Sequence, residues 1–415
     1  DSEGKISLVS VESADMSGTA YVFGTTSVAA LPANSKVIKN GNPASAADVK
    51  QYDIVTYSNG TYYVSDKKLT GIFQKASPSF THPSSVTVLG KEFSVTKEAA
   101  KYFSGVSYND LVTLLFDPNM NVAAVYPAQK LQFEQIGILS SLNDSGAKVT
   151  LMSGINVELP VELSAYDYTR FNGASVPTIY KLEGKLVKVL QDRNGKMILL
   201  ASETKQYVSG DWNISAGTLG AAKVLSGVRV FEQVDPSAPI IEVSASDIHI
   251  PVVKSDNIRR IFTDYAGRVT HIILGDVTGN GYEYGIFAAG NDSSGNTVTL
   301  QQSGGTKSYY SEKNGGNIGT PGEVAKGMEN MKCYTNLPCK LLKFMGTVTL
   351  GDFDGAKGVT VSDGYIKLSD DVQVYSSEQK KFLTLSEAKA NFTSFGIYSD
   401  RGLSEGGKVR IILVK

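Results

Sequence analysis

A chain of 415 residues with 40 Lys+Arg against 41 Asp+Glu has a net charge of −1, so no bulk field draws in nucleic acid or an anionic membrane. Its 41 Gly, 21 Tyr and single Trp, with β-branched residues spread throughout, make an all-β composition. No apolar run approaches the roughly 18 residues of a membrane span, and the opening Asp1-Ser2-Glu3-Gly4, without Met or signal sequence, implies a processed product or a piece of something longer.

A hairpin phrase recurs in chain order: an apolar strand, an Asp or other small polar residue, a turn former three residues on, and a second apolar strand. Its first form is Ile54-Val55-Thr56-Tyr57, then Asn59-Gly60, then Tyr62-Tyr63-Val64. Leu111 to Phe116 leads to Asp117 and Val122; Leu186 to Leu190 leads to Asp192, Gly195 and Met197; Ile258 to Phe262 leads to Asp264, Gly267 and Val269. The same spacing lands on Asn336, with Cys339 at the turn and Leu341 beyond, and then on Ser404, Gly407 and the run from Val409 to Val414. Intervals of about 60 to 75 residues predict tandem small β modules at 1–70, 71–133, 134–205, 206–284, 285–344 and 345–415. Units of that size are near the lower limit for an independent core, so neighbours are expected to dock on one another.

Each module has an opening strand entered through a glycine: Gly18, Gly71, Gly137, Gly227, Gly285 and Gly346. Middle strands carry a Val-Thr-apolar triplet at Val86, Val149, Val298 and Val359, which suits a pleated strand with alternate faces wet and dry. Short helical inserts precede several hairpins: Ala46 to Lys50, Thr96 to Phe103 with Thr96 as N-cap, and Leu385 to Phe392 capped by Ser386. Two-turn helices cannot stand alone, and these are expected to act as lids burying Phe103 or Phe392. The fourth unit is interrupted by Val234-Asp235-Pro236-Ser237-Ala238-Pro239 and shows no evident helix. The predicted fold is all-β with a few short helices: partly open barrels of five or six strands in an elongated tandem.

Chemistry is sparse. Cys333 and Cys339 are the only cysteines; they could close a small ring in an exported protein or stay as free thiols. His82, His249 and His271 lie far apart in sequence, with His82 in a loop and the others in strand patterns. No nucleophile elbow, Walker loop or Cys–His pairing is present. Asp276-Val277-Thr278-Gly279-Asn280-Gly281 has the oxygen side chains and glycine of a calcium loop, but its twelfth position is Phe287 where that loop needs a carboxylate; a tight turn is the other reading. Asp352-Phe353-Asp354-Gly355 has the same two readings. Tyrosines pair at Tyr62/Tyr63, Tyr166/Tyr168, Tyr282/Tyr284 and Tyr309/Tyr310, either as a sugar platform or as cross-strand packing. Arg259, Arg260 and Arg268 form the densest basic cluster, too small for a nucleic-acid stripe. No catalytic residue, cofactor-binding residue or metal ligand is assigned, and no cofactor is expected.

The stretch from Ala76 to Lys91, with Tyr52 to Tyr57 before it and Asp110 to Leu115 after it, resembles the β-rich region of Gram-positive surface proteins that carry S-layer homology domains. Asp371 to Tyr375 through Gly406 to Ile412 resembles the end of such regions. The likeness implies an extracellular, cell-surface protein whose wall-anchoring repeats lie outside this sequence. Its implied partner is a cell-envelope polymer held through those anchoring domains, with self-association or a glycan ligand as further options and neither nucleic acid nor a membrane span. The reading is a non-enzymatic structural or spacer protein of a Gram-positive surface coat. An adhesin or carbohydrate-binding protein is the alternative, and a wall-active hydrolase with paired carboxylates a second rival.

Overall fold

The Val-Thr-apolar triplets form strands, at Ser85–Val88, Gly146–Leu151, Thr297–Gln302 and Gly358–Val361, each with its valine buried. The structure is a computed structural model that describes residues 18–25, 31–32, 34–131, 134–143, 145–163, 168–171, 174–264, 266–289, 297–310, 318–327 and 337–415, the side chains of 168–171, 174–177, 289 and 310 excepted. The chain is all-β, in sheets of five to seven strands and one two-stranded hairpin. It divides into two compact units, Asp1–Gln135 with Val157–Leu159 and Leu190–Met197, and Ile136–Asn156 with Pro160–Val189 and Ile198–Lys415.

In the first unit, Lys68–Ser77, Ser85–Val88, Lys91–Ser94, Leu111–Phe116 and Val122–Pro127 make one sheet, in the spatial order fifth, fourth, first, second, third. A parallel bridge from Val95, just past the third strand, to Val122 in the fifth draws the ends of that row together. The ring that results, first–second–third–fifth–fourth, is the Greek-key arrangement of a small, partly open OB-type barrel. The sheet before it also has a parallel contact, with Lys36 to Lys39 of its second described strand against Thr61 to Val64 of its last. Ala20, Val22 and Ile54 of one sheet share a core with Leu115, Ala123, Ala124 and Tyr126 of the next.

The second unit repeats the plan. Trp212–Asn213, Thr218–Leu219, Ala222–Glu232, Ile258–Thr263 and Val269–Leu274 follow the same ring, as do Lys343–Val348, Gly358–Val361, Gly364–Ser376, Phe395–Ser399 and Val409–Val414. Both long third strands break register identically against the fifth: pairing jumps from Val224–Val269 to Arg229–His271, and from Leu368–Val409 to Gln373–Ile411. Gly227 therefore lies inside a bent third strand and does not open its module, as the sequence had suggested. Tyr282–Ala289 sits between Thr297–Gln302 and Pro321–Ala325, with Gly305–Tyr310 and Cys339–Leu341 outermost; Ile136–Asn143 sits likewise between Gly146–Leu151 and Leu186–Gln191. Cys339 thus begins a strand and not a turn; Cys333 and Asn336 lie outside the described residues.

The repeated aspartate has one job. At Asp117, Asp192 and Asp264 the backbone N–H donates to the carbonyl four residues on, and the carboxylate Oδ1 accepts that residue's N–H at 2.8, 2.7 and 2.9 Å. The residue three positions after each aspartate has positive φ: Met120 at 66°, Gly195 at 82° and Gly267 at 73°. In the last module Asp400, not Ser404, takes this role, accepting from Lys408 N at 2.9 Å across an inserted loop.

The lids are short. Lys97–Tyr102 is a 3-10 turn followed by the fully buried Phe103, and Leu385–Asn391 is an α-helix followed by the half-buried Phe392. The latter is capped by Thr384, not Ser386: Thr384 Oγ1 accepts from Glu387 N at 3.2 Å while Glu387 Oε2 accepts from Thr384 N at 2.8 Å. The fourth module has two single turns, Ala245–Asp247 and Ser255–Asn257, where no helix was expected.

Candidate functional site

The segment from Asp276 to Gly281 joins two modules of the second unit, and its polarity is the reverse of a cation loop. Its backbone N–H groups converge on Glu232, at the end of a third strand and fully buried. Glu232 Oε1 accepts from Val277 N at 2.8 Å and Thr278 N at 2.5 Å; Oε2 accepts from Thr278 Oγ1 at 2.8 Å and Gly281 N at 3.1 Å. Such a nest of N–H groups binds an anion, and the chain's own carboxylate fills it.

The side chains that resembled calcium ligands are engaged elsewhere. Asp276 Oδ1 meets Arg401 Nη2 at 2.7 Å and Oδ2 accepts from the Tyr282 hydroxyl at 3.2 Å. The Asn280 amide donates to Asp247 Oδ2 at 2.8 Å. The backbone carbonyls turn toward cationic side chains of the last module: Arg401 Nη1 reaches Asp276 O and Val277 O at 2.9 and 2.8 Å, and Arg410 Nη2 reaches Thr278 O at 2.9 Å. The loop is therefore a joint between modules. Among the described residues no group of three or more His, Cys, Asp or Glu is placed to hold a metal ion. Asp352 is also a turn residue, its Oδ2 accepting from Thr349 N at 2.7 Å and from Thr349 Oγ1 at 2.9 Å.

Behind the loop lies a buried ionic network. Arg410 is 2% exposed and donates from Nε to Asp400 Oδ2 at 2.9 Å, from Nη1 to Ser369 Oγ at 2.8 Å, and stands 4.6 Å over the Tyr284 ring. Tyr284 donates its hydroxyl to Gly279 O at 2.6 Å. Burial works against the Arg401 charge, but the Asp276 and Asp400 carboxylates outweigh it and hold its pKa above the ordinary value. Glu323 is 1% exposed; Oε1 meets Lys340 Nζ at 2.9 Å, while Oε2 is buried without a hydrogen-bond partner. Burial pushes its carboxyl up to about 7 against the pull of Lys340. Lys340 is half exposed, and there Glu323 and Asp276 overcome desolvation and raise the pKa.

The other candidates disperse. His82 is exposed and bonded within its own loop to Thr81 Oγ1 at 3.2 Å. His271 is wedged between Phe231 and Phe262, and His249 lies beside Lys408, Lys367 and Asp247, its pKa lowered first by burial. Tyr282, Tyr284 and Tyr309 are inward struts, so they offer no sugar platform. Tyr62 pairs across strands with Tyr57 at a ring distance of 4.7 Å; Tyr166 lies outside the described residues. The Arg cluster is taken up internally, by Gln233 O at Arg259, Glu203 O at Arg260 and Asp264 at Arg268. No helix among the described residues is long and apolar enough to cross a membrane. Sequence reasoning missed Arg401 and Arg410; a lone arginine inside the apolar run Val409-Arg410-Ile411-Ile412 was the available signal.

No family model matches this chain, and no curated protein does. A solved structure described as a multidomain protein with nucleic acid binding domains from Streptococcus pneumoniae TIGR4 aligns over 50% of this chain and 73% of its own, at 11% identity and a TM-score of 0.16. A likeness that weak carries no argument.

Proposed function

We propose that this chain is a non-enzymatic structural or spacer protein of a Gram-positive cell surface, joined to the envelope by anchoring domains outside the sequence. The observation that carries the reading is the use made of the most chemically endowed segment. From Asp276 to Gly281, its carboxylate, hydroxyl, carbonyls and N–H groups are directed at neighbouring modules. Repetition of one barrel plan, with cores shared between successive modules, suits a protein whose product is a joined array. The test is surface labelling of intact cells with an impermeant amine reagent, together with electron microscopy of the purified chain for ordered assemblies. Labelling only after lysis would sink the proposal.

An adhesin is the second reading, favoured by exposed aromatic pairs. Tyr57 is 50% exposed beside Tyr62, and Phe344 is 53% exposed beside Tyr398 at 5.1 Å. A glycan array compared with Tyr57→Ala and Phe344→Ala variants separates the two readings.

A further inference from the structure

Three tyrosines of the first unit meet beside two lysines. Tyr126 is the floor: Tyr52 stands at a centroid distance of 5.4 Å and an interplanar angle of 72°, and Tyr102 at 5.6 Å and 58°. Lys130 Nζ lies 4.5 Å from the Tyr126 centroid and 6.0 Å from that of Tyr52, and Lys101 Nζ lies 5.1 Å over Tyr102. Steeply inclined rings around a positive charge are the geometry by which aromatic faces recognise quaternary ammonium groups.

Two details favour a site over incidental packing. Tyr52 enters the cluster from a left-handed backbone with φ 69°, a conformation that disfavours a bulky side chain and suits Gly or Asn. The chain keeps an aromatic ring there, against Tyr126. Lys130 is itself exposed, and its primary ammonium is strongly hydrated, so it holds the rings weakly. A trimethylammonium group is weakly hydrated and would present methyl carbons to the Tyr126 and Tyr52 rings that Lys130 now covers, with Tyr102 packed against Tyr126 beside them. Burial is the largest cause raising the Tyr126 phenol, to about 12, so its ring stays neutral at physiological pH.

We propose that Tyr52, Tyr102 and Tyr126 form a binding site for a quaternary ammonium group, with Lys130 as an internal occupant that the ligand displaces. The chemistry is common to a choline headgroup and a trimethyllysine side chain, and it does not depend on the surface-structural reading. The test follows tyrosine ring resonances of the full chain while tetramethylammonium, choline, phosphocholine or trimethyllysine is added, with methylamine as control. Saturable shifts with the trimethylammonium probes and none with methylamine are expected, and the tighter of choline and trimethyllysine identifies the source. Lys130→Ala should tighten binding about three- to tenfold, and Tyr102→Leu, checked for folding by circular dichroism, should weaken it about tenfold. No saturable shift in either the unaltered chain or Lys130→Ala overturns the proposal, as does Lys130→Ala binding no more tightly.

Discussion

Arg410 and Asp400 face each other across the last hairpin, both nearly sealed from water, with Nε and Nη2 each 2.9 Å from the same carboxylate oxygen. The pair does two jobs. Asp400 Oδ1 closes the repeated turn by accepting from Lys408 N, while Arg410 continues to Thr278 O of a neighbouring module. A local turn device is thereby tied to a joint between modules.

Removing one partner strands the other. Asp400→Asn should lower the unfolding free energy by about 3–5 kcal/mol, because a buried guanidinium loses its close counter-charge and keeps only the exposed Asp371 at 3.6 Å. The paired replacement Asp400→Leu with Arg410→Met should recover only part of that loss: the desolvation cost of both charges goes with them, but Lys408 N loses its acceptor and Thr278 O its donor. Denaturant unfolding of the two variants measures both terms. A single variant within about 1 kcal/mol of the unaltered chain would show that water relieves the stranded arginine.

The aspartate hairpins were legible in sequence because their chemistry is local: Asp117, Asp192 and Asp264 bond N–H groups four residues away. The last one was misplaced at Ser404 because an inserted loop separates Asp400 from its partner Lys408. Gly227 was misread because a glycine before Val228-Arg229-Val230-Phe231 reads as a strand entry, whereas it lies where the third strand bends between Val224 and Arg229. The ionic joint was illegible for a different reason. Arg401 and Asp276 meet only after both modules fold, and no local pattern encodes a contact at that separation. The calcium resemblance of Asp276 to Gly281 counted side chains, whereas the fold uses the backbone N–H groups.

Met120 occupies the position that Gly195 and Gly267 fill in the equivalent turns, at φ 66°. Met120→Gly should raise stability by about 0.5–1 kcal/mol, the relief of left-handed strain less the entropy of an added glycine. Gly195→Ala should lower it by about 1 kcal/mol on the same grounds. Thermal melts of the two variants shifting in opposite directions is the expected result.

Gly137 and Gly285 occupy equivalent places in first strands, each two residues before a register shift against the second strand. A Cβ on Gly285 would lie 2.5 Å from Gln301 O, and one on Gly137 2.6 Å from Val149 Cγ1 and 2.8 Å from Thr150 O. Backbone cannot yield as a side-chain tip can. Gly285→Ala should cost about 1–3 kcal/mol, more than an exposed loop change such as Gly154→Ala, which meets no atom within 4 Å but carries a positive φ. Denaturation midpoints of the two variants give the comparison.

Glu323 makes the second unit pH-sensitive in a direction opposite to that of a paired surface carboxylate. Its folded pKa is about 7 against an ordinary value of 4.5, so the folded chain holds this proton where the unfolded chain has released it. Below pH 4.5 both states are protonated and the contribution to stability is intact. Between 4.5 and 7 the unfolded state is favoured by ionisation, and stability should fall by up to about 3 kcal/mol before levelling off. Glu323→Gln should remove that slope and be the more stable chain at pH 7.5, since Lys340 is half exposed and retains Asp276 as a partner at 3.4 Å. Unfolding free energies at half-unit steps from pH 4.5 to 7.5 resolve the trend. Parallel curves for the two chains would mean that Lys340 keeps Glu323 ionised throughout, so that the joint is held by attraction across the pair instead of by a proton on the buried carboxyl.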